Sequence, residues 1–303
     1  MKRIVLLIAA LAFSLTAFAA EPETARNTYK QHYDFRDFDA LSISHIFHVE
    51  LSFENTWSVD VEVPDYLEPY LRISCKGGKL RLGLENLPKD IQKRLSKSND
   101  RLHAWVRMPG LRDLSMSGAS RLSTTGEPKI DENGHLSIDM SGASEVDNLL
   151  ATGRGRLSVS MSGASKADLD ATFNTLDIDV SGASRLKMSG DARTAEIDCS
   201  GASSVDLNGD YVDMEADVSG SSKVLVRGDL STLKLEASGA SKFEADGVTD
   251  RADIELSGVS KGKLTVRERM NYELSGVSTL LVRDLGATCR GEVSRGSQIE
   301  YLR

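Results

Sequence analysis

Three kinds of side chain recur in this sequence at spacings regular enough to do chemistry: serines, carboxylates and basic residues. The serines come as a tetrad, Ser-Gly-Ala-Ser, starting at Ser117, Ser141, Ser162, Ser181, Ser200 and Ser238. Altered copies start at Ser219, Ser257 and Ser275, and a degenerate tenth at Ser294. A nucleophilic serine needs a base, and of five histidines only His135 falls inside this array. Carboxylates stand two residues before the tetrad at Asp139, Asp179, Asp198, Asp217, Glu236, Glu255, Glu273 and Glu292. Four residues before it stand Asp177, Glu196, Glu215 and Asp253. The residue after the tetrad is mostly basic: Arg121, Lys166, Arg185, Lys223, Lys242 and Lys261.

Stacked acids of this kind can recruit a cation or a basic partner. Calcium favours six to eight oxygens from irregular loops, so a straight ladder suits it poorly. The plainer reading is a solvated, like-charged face that keeps sheets from aggregating sideways. Enzymes on related scaffolds gather their carboxylates at one place, whereas here they are spread evenly, so catalysis is not expected. Among aromatic residues, Phe173 and Tyr211 share one turn position two repeats apart and are the one candidate exposed pair for a sugar. Phe243 and Tyr272 fall in inward columns, and Trp57 and Trp105 are expected in the core of the N-terminal region. His45 and His48 lie three apart on an expected strand, on opposite faces, and cannot share a metal. Cys75, Cys199 and Cys289 are too few and scattered for a disulfide framework. Cys199 and Cys289 occupy apolar positions of the repeat and read as buried thiols.

The elements that must carry these residues are strands. From Ser162 onward the tetrads start 18 or 19 residues apart, after two longer intervals of 24 and 21. Before each tetrad the chain alternates, as in Leu176-Asp177-Ile178-Asp179-Val180, and after it again, as in Lys223-Val224-Leu225-Val226. Period-two alternation means strands with one buried face. Gly190, Gly209, Gly228 and Gly247 then mark a turn. Two strands and a turn in so few residues are one coil of an all-β parallel β-helix, each coil resting on the last. About ten coils at roughly 4.8 Å make a rod of about 48 Å. Parity carried through the tetrad places Gly182 and Ser184 inward and Ser181 and Ala183 outward. An alternative makes the whole tetrad a corner whose hydroxyls satisfy turn amides.

Residues 20–110 form an N-terminal β-rich cap or irregular first coils, with strands around 40–53, 58–63, 71–74, 79–84 and 102–108. Between them, 64–70 reads as a turn or short helix and 88–96 as a charged loop. Residues 111–303 form the solenoid, and the edge near Arg303, uncapped in this reading, offers a surface for self-association. Residues 1–19 read as a secretory signal peptide: a basic start at Lys2 and Arg3, an apolar run, and small residues at Ala17 and Ala19. Its removal takes the net charge from −8 to −10, which argues against binding to nucleic acid. No later apolar run is long enough to span a bilayer.

The segment 38–49, the run Met108-Pro109-Gly110-Leu111 and the Ser-Gly-Ala-Ser coils after it resemble the head GIN domain family of auto-transporter adhesins. That resemblance implies a β-helical fold in the cell envelope. No membrane-barrel pattern is legible up to residue 303, and the family supplies no set of functional residues to carry over. The reading is therefore an exported, non-catalytic module of periplasm or cell surface. Its partner is an envelope protein or a glycan, and no cofactor is expected. A carbohydrate-active enzyme and a cation-dependent scaffold are the alternatives.

Overall fold

The computed structural model describes residues 27–98, 100–130 and 134–302; the expected signal peptide lies outside them. The chain is an all-β parallel solenoid, built as two stacks of strands that meet at the tetrad. Face A holds the strands before each tetrad and face B those after it. In register, Leu157 lies on Leu176, Val159 on Ile178 and Met161 on Val180, and the same columns continue through Ala195, Ile197 and Cys199. These side chains are buried throughout, so each coil's apolar residues close over the previous coil's.

The tetrad combines features of both sequence readings. Ser184 is buried, as parity requires, and so is its counterpart in every coil from Ser120 to Ser278. Gly182, however, is exposed in a turn, with φ of 74°. It is glycine because of that left-handed backbone and because a Cβ there would sit 2.5 Å from the carbonyl oxygen of Gly163 in the coil beneath. Crowding of the interior is not the reason. Amides of the turn bond from coil to coil instead: Ser181 N–H donates to Met161 O at 2.8 Å and Ala183 N–H to Gly163 O at 2.7 Å.

The second turn has its own ladder. Asp191 accepts from the amide of Asp210, Asp210 from that of Asp229, and Asp229 from that of Val248, at 2.8 to 2.9 Å. Each carboxylate thus accepts a backbone N–H from the next coil at this bend.

The N-terminal region is threaded out of chain order. Strands β1 (Thr28–Tyr33), β2 (Ala40–Ile43) and β3 (Phe47–Phe53) are followed by β4 (Ser58–Pro64), a 3-10 turn, β5 (Leu71–Lys76) and β6 (Lys79–Leu84). Then come helix α1 (Lys89–Lys97), β7 (Leu102–Met108), β8 (Asp113–Met116) and β9 (Arg121–Thr125). The β2–β3 coil lies between β6 and β7 on one side and β8 and β9 on the other, all parallel. Pro109–Arg112 therefore steps across a whole coil, tied down where Arg112 N–H donates to Asp39 O at 2.7 Å. Beyond β6 and β7 the pairing turns antiparallel, through β5, β4 and β1, which covers that end of the stack.

Three expectations are corrected here. Residues 40–53 are not one strand, because Ser44-His45-Ile46-Phe47 occupies the tetrad position under Ser117-Gly118-Ala119-Ser120, with Ala119 N–H bonded to His45 O. His45 thus sits in the turn at φ of 67°, and its Nδ1 accepts from the Leu84 amide. The charged loop is helix α1: Leu87, Ile91 and Leu95, four apart, pack on the core behind Pro88 at the cap. Trp105 faces outward and is 38% exposed, while Trp57 is half-buried with its indole N–H on Phe38 O.

Candidate functional site

Face A carries its outward carboxylates as two ladders. Ser160, Asp179, Asp198, Asp217, Glu236, Glu255 and Glu273 are successive register partners, one coil apart. Beside them run Asp177, Glu196, Glu215, Lys234, Asp253 and Asn271. Parallel strands in register leave like charges about 4.8 Å apart, a repulsion of roughly 0.9 kcal/mol per neighbour in water before salt. Partial desolvation, then Asp179 and Glu196, push the Asp198 carboxyl above its usual range. Partial desolvation, then Glu236 and Asp198, do the same to Asp217.

Little neutralises this face. Lys234 bridges Glu215 at 2.6 Å and Glu236 at 3.2 Å, and these two carboxylates hold its ammonium well above the usual lysine range. Arg156 reaches Asp177 at 3.2 Å. Asp179, Glu196, Asp198, Asp217 and Glu255 have no ion-pair partner among the described residues. Lys234 stands in the column that the sequence reading took as acidic; the column read coil by coil, rather than as examples, reveals it.

Face B behaves oppositely. Lys166 meets Glu145 at 2.7 Å, Lys187 meets Asp168 at 3.2 Å and Lys263 meets Glu244 at 2.8 Å, while Arg227 pairs with Asp206. These pairs tie most acids of face B to basic side chains of the same face. Of the column after the tetrad, Arg121, Lys166 and Lys242 take part, while Arg185, Lys223 and Lys261 have no ion-pair partner among the described residues. Lys242 and Lys263 together hold the Glu244 carboxyl down to about 2.

Between the −2 column and the first tetrad serine a groove runs along the rod. One segment of about 340 Å³ is lined by Ser115, Asp139, Ser141, Ser160, Asp179 and Ser181. A second, also of about 340 Å³, is lined by Asp217, Ser219, Glu236, Ser238, Glu255 and Ser257. Short side chains at one end give way to glutamates at the other. The serine hydroxyls turn back to the coil beneath, as Ser181 Oγ donates to Met161 O at 3.2 Å. The groove thus offers a row of acceptors at constant pitch. No group of three or more His, Cys, Asp or Glu is arranged to hold a metal ion among the described residues.

The other sequence candidates fall elsewhere. Phe173 and Tyr211 are both 2% exposed and form no surface pair. Their turn position points inward: the Phe173 ring lies against Gly153, and the Tyr211 hydroxyl donates to Gly190 O at 3.2 Å. Burial, with Asp191 and Asp210 nearby, pushes the Tyr211 phenol up. Phe243 is buried and Tyr272 half-buried; Cys199 is a buried free thiol, Cys289 a half-buried one.

These features define a parallel β-solenoid with an asymmetric charge pattern, presenting ladders rather than a pocket. The family model described as "Putative auto-transporter adhesin, head GIN domain" matches residues 37–209 and 185–283, and the chain belongs to that family. Among solved structures it is similar to a putative adhesin from Parabacteroides distasonis, 15% identical, with a TM-score of 0.51 over 92% of this chain and 98% of that one. It also matches a putative adhesin from Parabacteroides merdae, 12% identical with a TM-score of 0.42 over 91% and 96%. A putative lipid binding protein from P. distasonis is 11% identical, with a TM-score of 0.44 over 91% and 97%. The first of these shows a shared fold. No curated protein matches the chain. No helix among the described residues is long and apolar enough to cross a membrane.

Proposed function

We propose that this protein is an exported, non-catalytic binding module of the periplasm or cell surface. It engages an extended partner, an envelope protein or a glycan, along the serine–carboxylate groove of face A. One observation carries the reading: face A keeps its stacked carboxylates largely unneutralised, whereas most carboxylates of face B have a lysine or arginine partner. A ladder that costs stability and has few internal partners suits an external one that brings hydrogen-bond donors or positive charge. Self-association through the last strands belongs to the same reading, since Val293, Tyr301 and Leu302 are exposed there. Sedimentation showing a monomer at every concentration removes that part.

The test is an array of glycans and basic peptides, probed in calcium and then in chelator, with the parent and with Asp179→Asn, Asp198→Asn and Asp217→Asn combined. Selective binding by the parent that the triple variant loses supports the groove. Loss with chelator alone assigns the ladder to a bridging cation. Selective binding that the triple variant keeps in both conditions rules the groove out.

A further inference from the structure

We propose that the outward surface of β7 is a carbohydrate-binding platform, on which Trp105 stacks against the apolar face of a neutral pyranose while Glu50, His103 and His48 address its hydroxyls. This goes beyond the groove reading and stands without it, because β7 belongs to face B.

Trp105 is the outward residue between Glu50 of β3 and Asp60 of β4. In the same column the following coils carry Ser123 and Asp147, small or charged residues suited to a solvated strand. A large indole left exposed at this one coil is the informative departure. It is not alone. His103 is in register with His48, their ring centroids 5.5 Å apart, and the His103 and Trp105 rings are 6.1 Å apart and tilted by only 20°. Three rings thus form a continuous strip over two coils.

The polar groups around the strip divide in two. Those at the border are engaged: Asp60 accepts from Ser58 at 3.0 Å and bonds His32 at 2.8 Å, Lys30 pairs with Glu62 at 2.9 Å, and Arg107 lies 3.7 Å from Glu54. Those at the centre are uncommitted: the Glu50 carboxylate, the ring nitrogens of His48 and His103 and the Trp105 indole N–H have no hydrogen-bond partner among the described residues. An exposed indole face takes the C–H face of a sugar, and flanking acceptors and imidazoles take its hydroxyls. Glu50 is the one carboxylate at the centre, and Arg121 and Arg101 lie near enough to act on His48, so the strip is bordered by both signs of charge, which fits a neutral sugar rather than a charged one.

Affinity electrophoresis tests this with the purified exported chain in native gels containing mannan, xylan, dextran or galactan. At least one polysaccharide is expected to retard the parent. In that gel, with mobility read relative to a polysaccharide-free gel, Trp105→Ala should raise the apparent Kd at least tenfold and Trp105→Phe less. Should Trp105→Ala fail to fold, Glu50→Gln and His103→Ala carry the test, each expected to weaken retardation at least threefold. No retardation in any of the four gels overturns the proposal. So does retardation that Trp105→Ala, or in its stead both substitutes, leaves intact.

Discussion

At the scale of single residues, two serines of one column separate hydrogen bonding from burial. Ser203 Oγ donates within reach of Ser200 O at 2.6 Å and Val180 O at 2.9 Å, whereas Ser241 Oγ is buried with no partner. Ser203→Ala should therefore cost about 1 kcal/mol, and Ser241→Ala should be neutral or slightly stabilising, read from the urea midpoint. The tetrad glycine is bound more tightly. In Gly201→Ala the new Cβ meets Gly182 O at 2.6 Å on a backbone at φ of 77°, and a loss of roughly 2–4 kcal/mol is expected in the same assay. The burial of the second tetrad serine was half-legible: parity placed it inward, but a corner reading of the whole tetrad stood beside it until the structure decided. The outward glycine was not: its reason lies in the coil beneath, and a sequence repeat does not display how closely two copies stack. Trp105 escaped for a related cause. A tryptophan reads as core by type, and only the register with Glu50 and Asp60 reveals which way its strand faces.

At the scale of elements, alternation and spacing made the paired strands of each coil readable, and the acidic columns followed from them. The threading of β2 and β3 between later strands left no sequence signal, since Ser44-His45-Ile46-Phe47 shares one residue with the tetrad whose place it takes. The ladder itself makes a prediction in pH and salt. Asp198 and Asp217 titrate above their usual range, so the folded chain holds their protons more tightly than the unfolded one. Their stabilising contribution is complete below the ordinary aspartate pKa of about 3.9 and is lost as the pH rises through the raised values. Asp198→Asn with Asp217→Asn should therefore raise the melting temperature at pH 7 by about 1–3 °C in low salt, on the order of 1 kcal/mol or less for such exposed groups. The advantage should shrink in high salt and vanish below about pH 4. Glu244 runs the other way: held down to about 2, it contributes stability above the usual glutamate range that is lost as the pH falls toward 2.

For the molecule as a whole, most carboxylates of one face are paired with basic side chains while most of the other face's are left bare. We propose that the ladder is kept for a partner. Composition and repeat spacing disclosed the rod and its acidic columns; the imbalance between the faces required the ion pairs of face B, which depend on side-chain reach between coils. The most direct measurement pairs binding with stability in one protein carrying Asp179→Asn, Asp198→Asn and Asp217→Asn. The account predicts a variant that melts higher than the parent at pH 7 in low salt and no longer binds the parent's array ligand. A variant that melts lower, or that binds as the parent does, contradicts it.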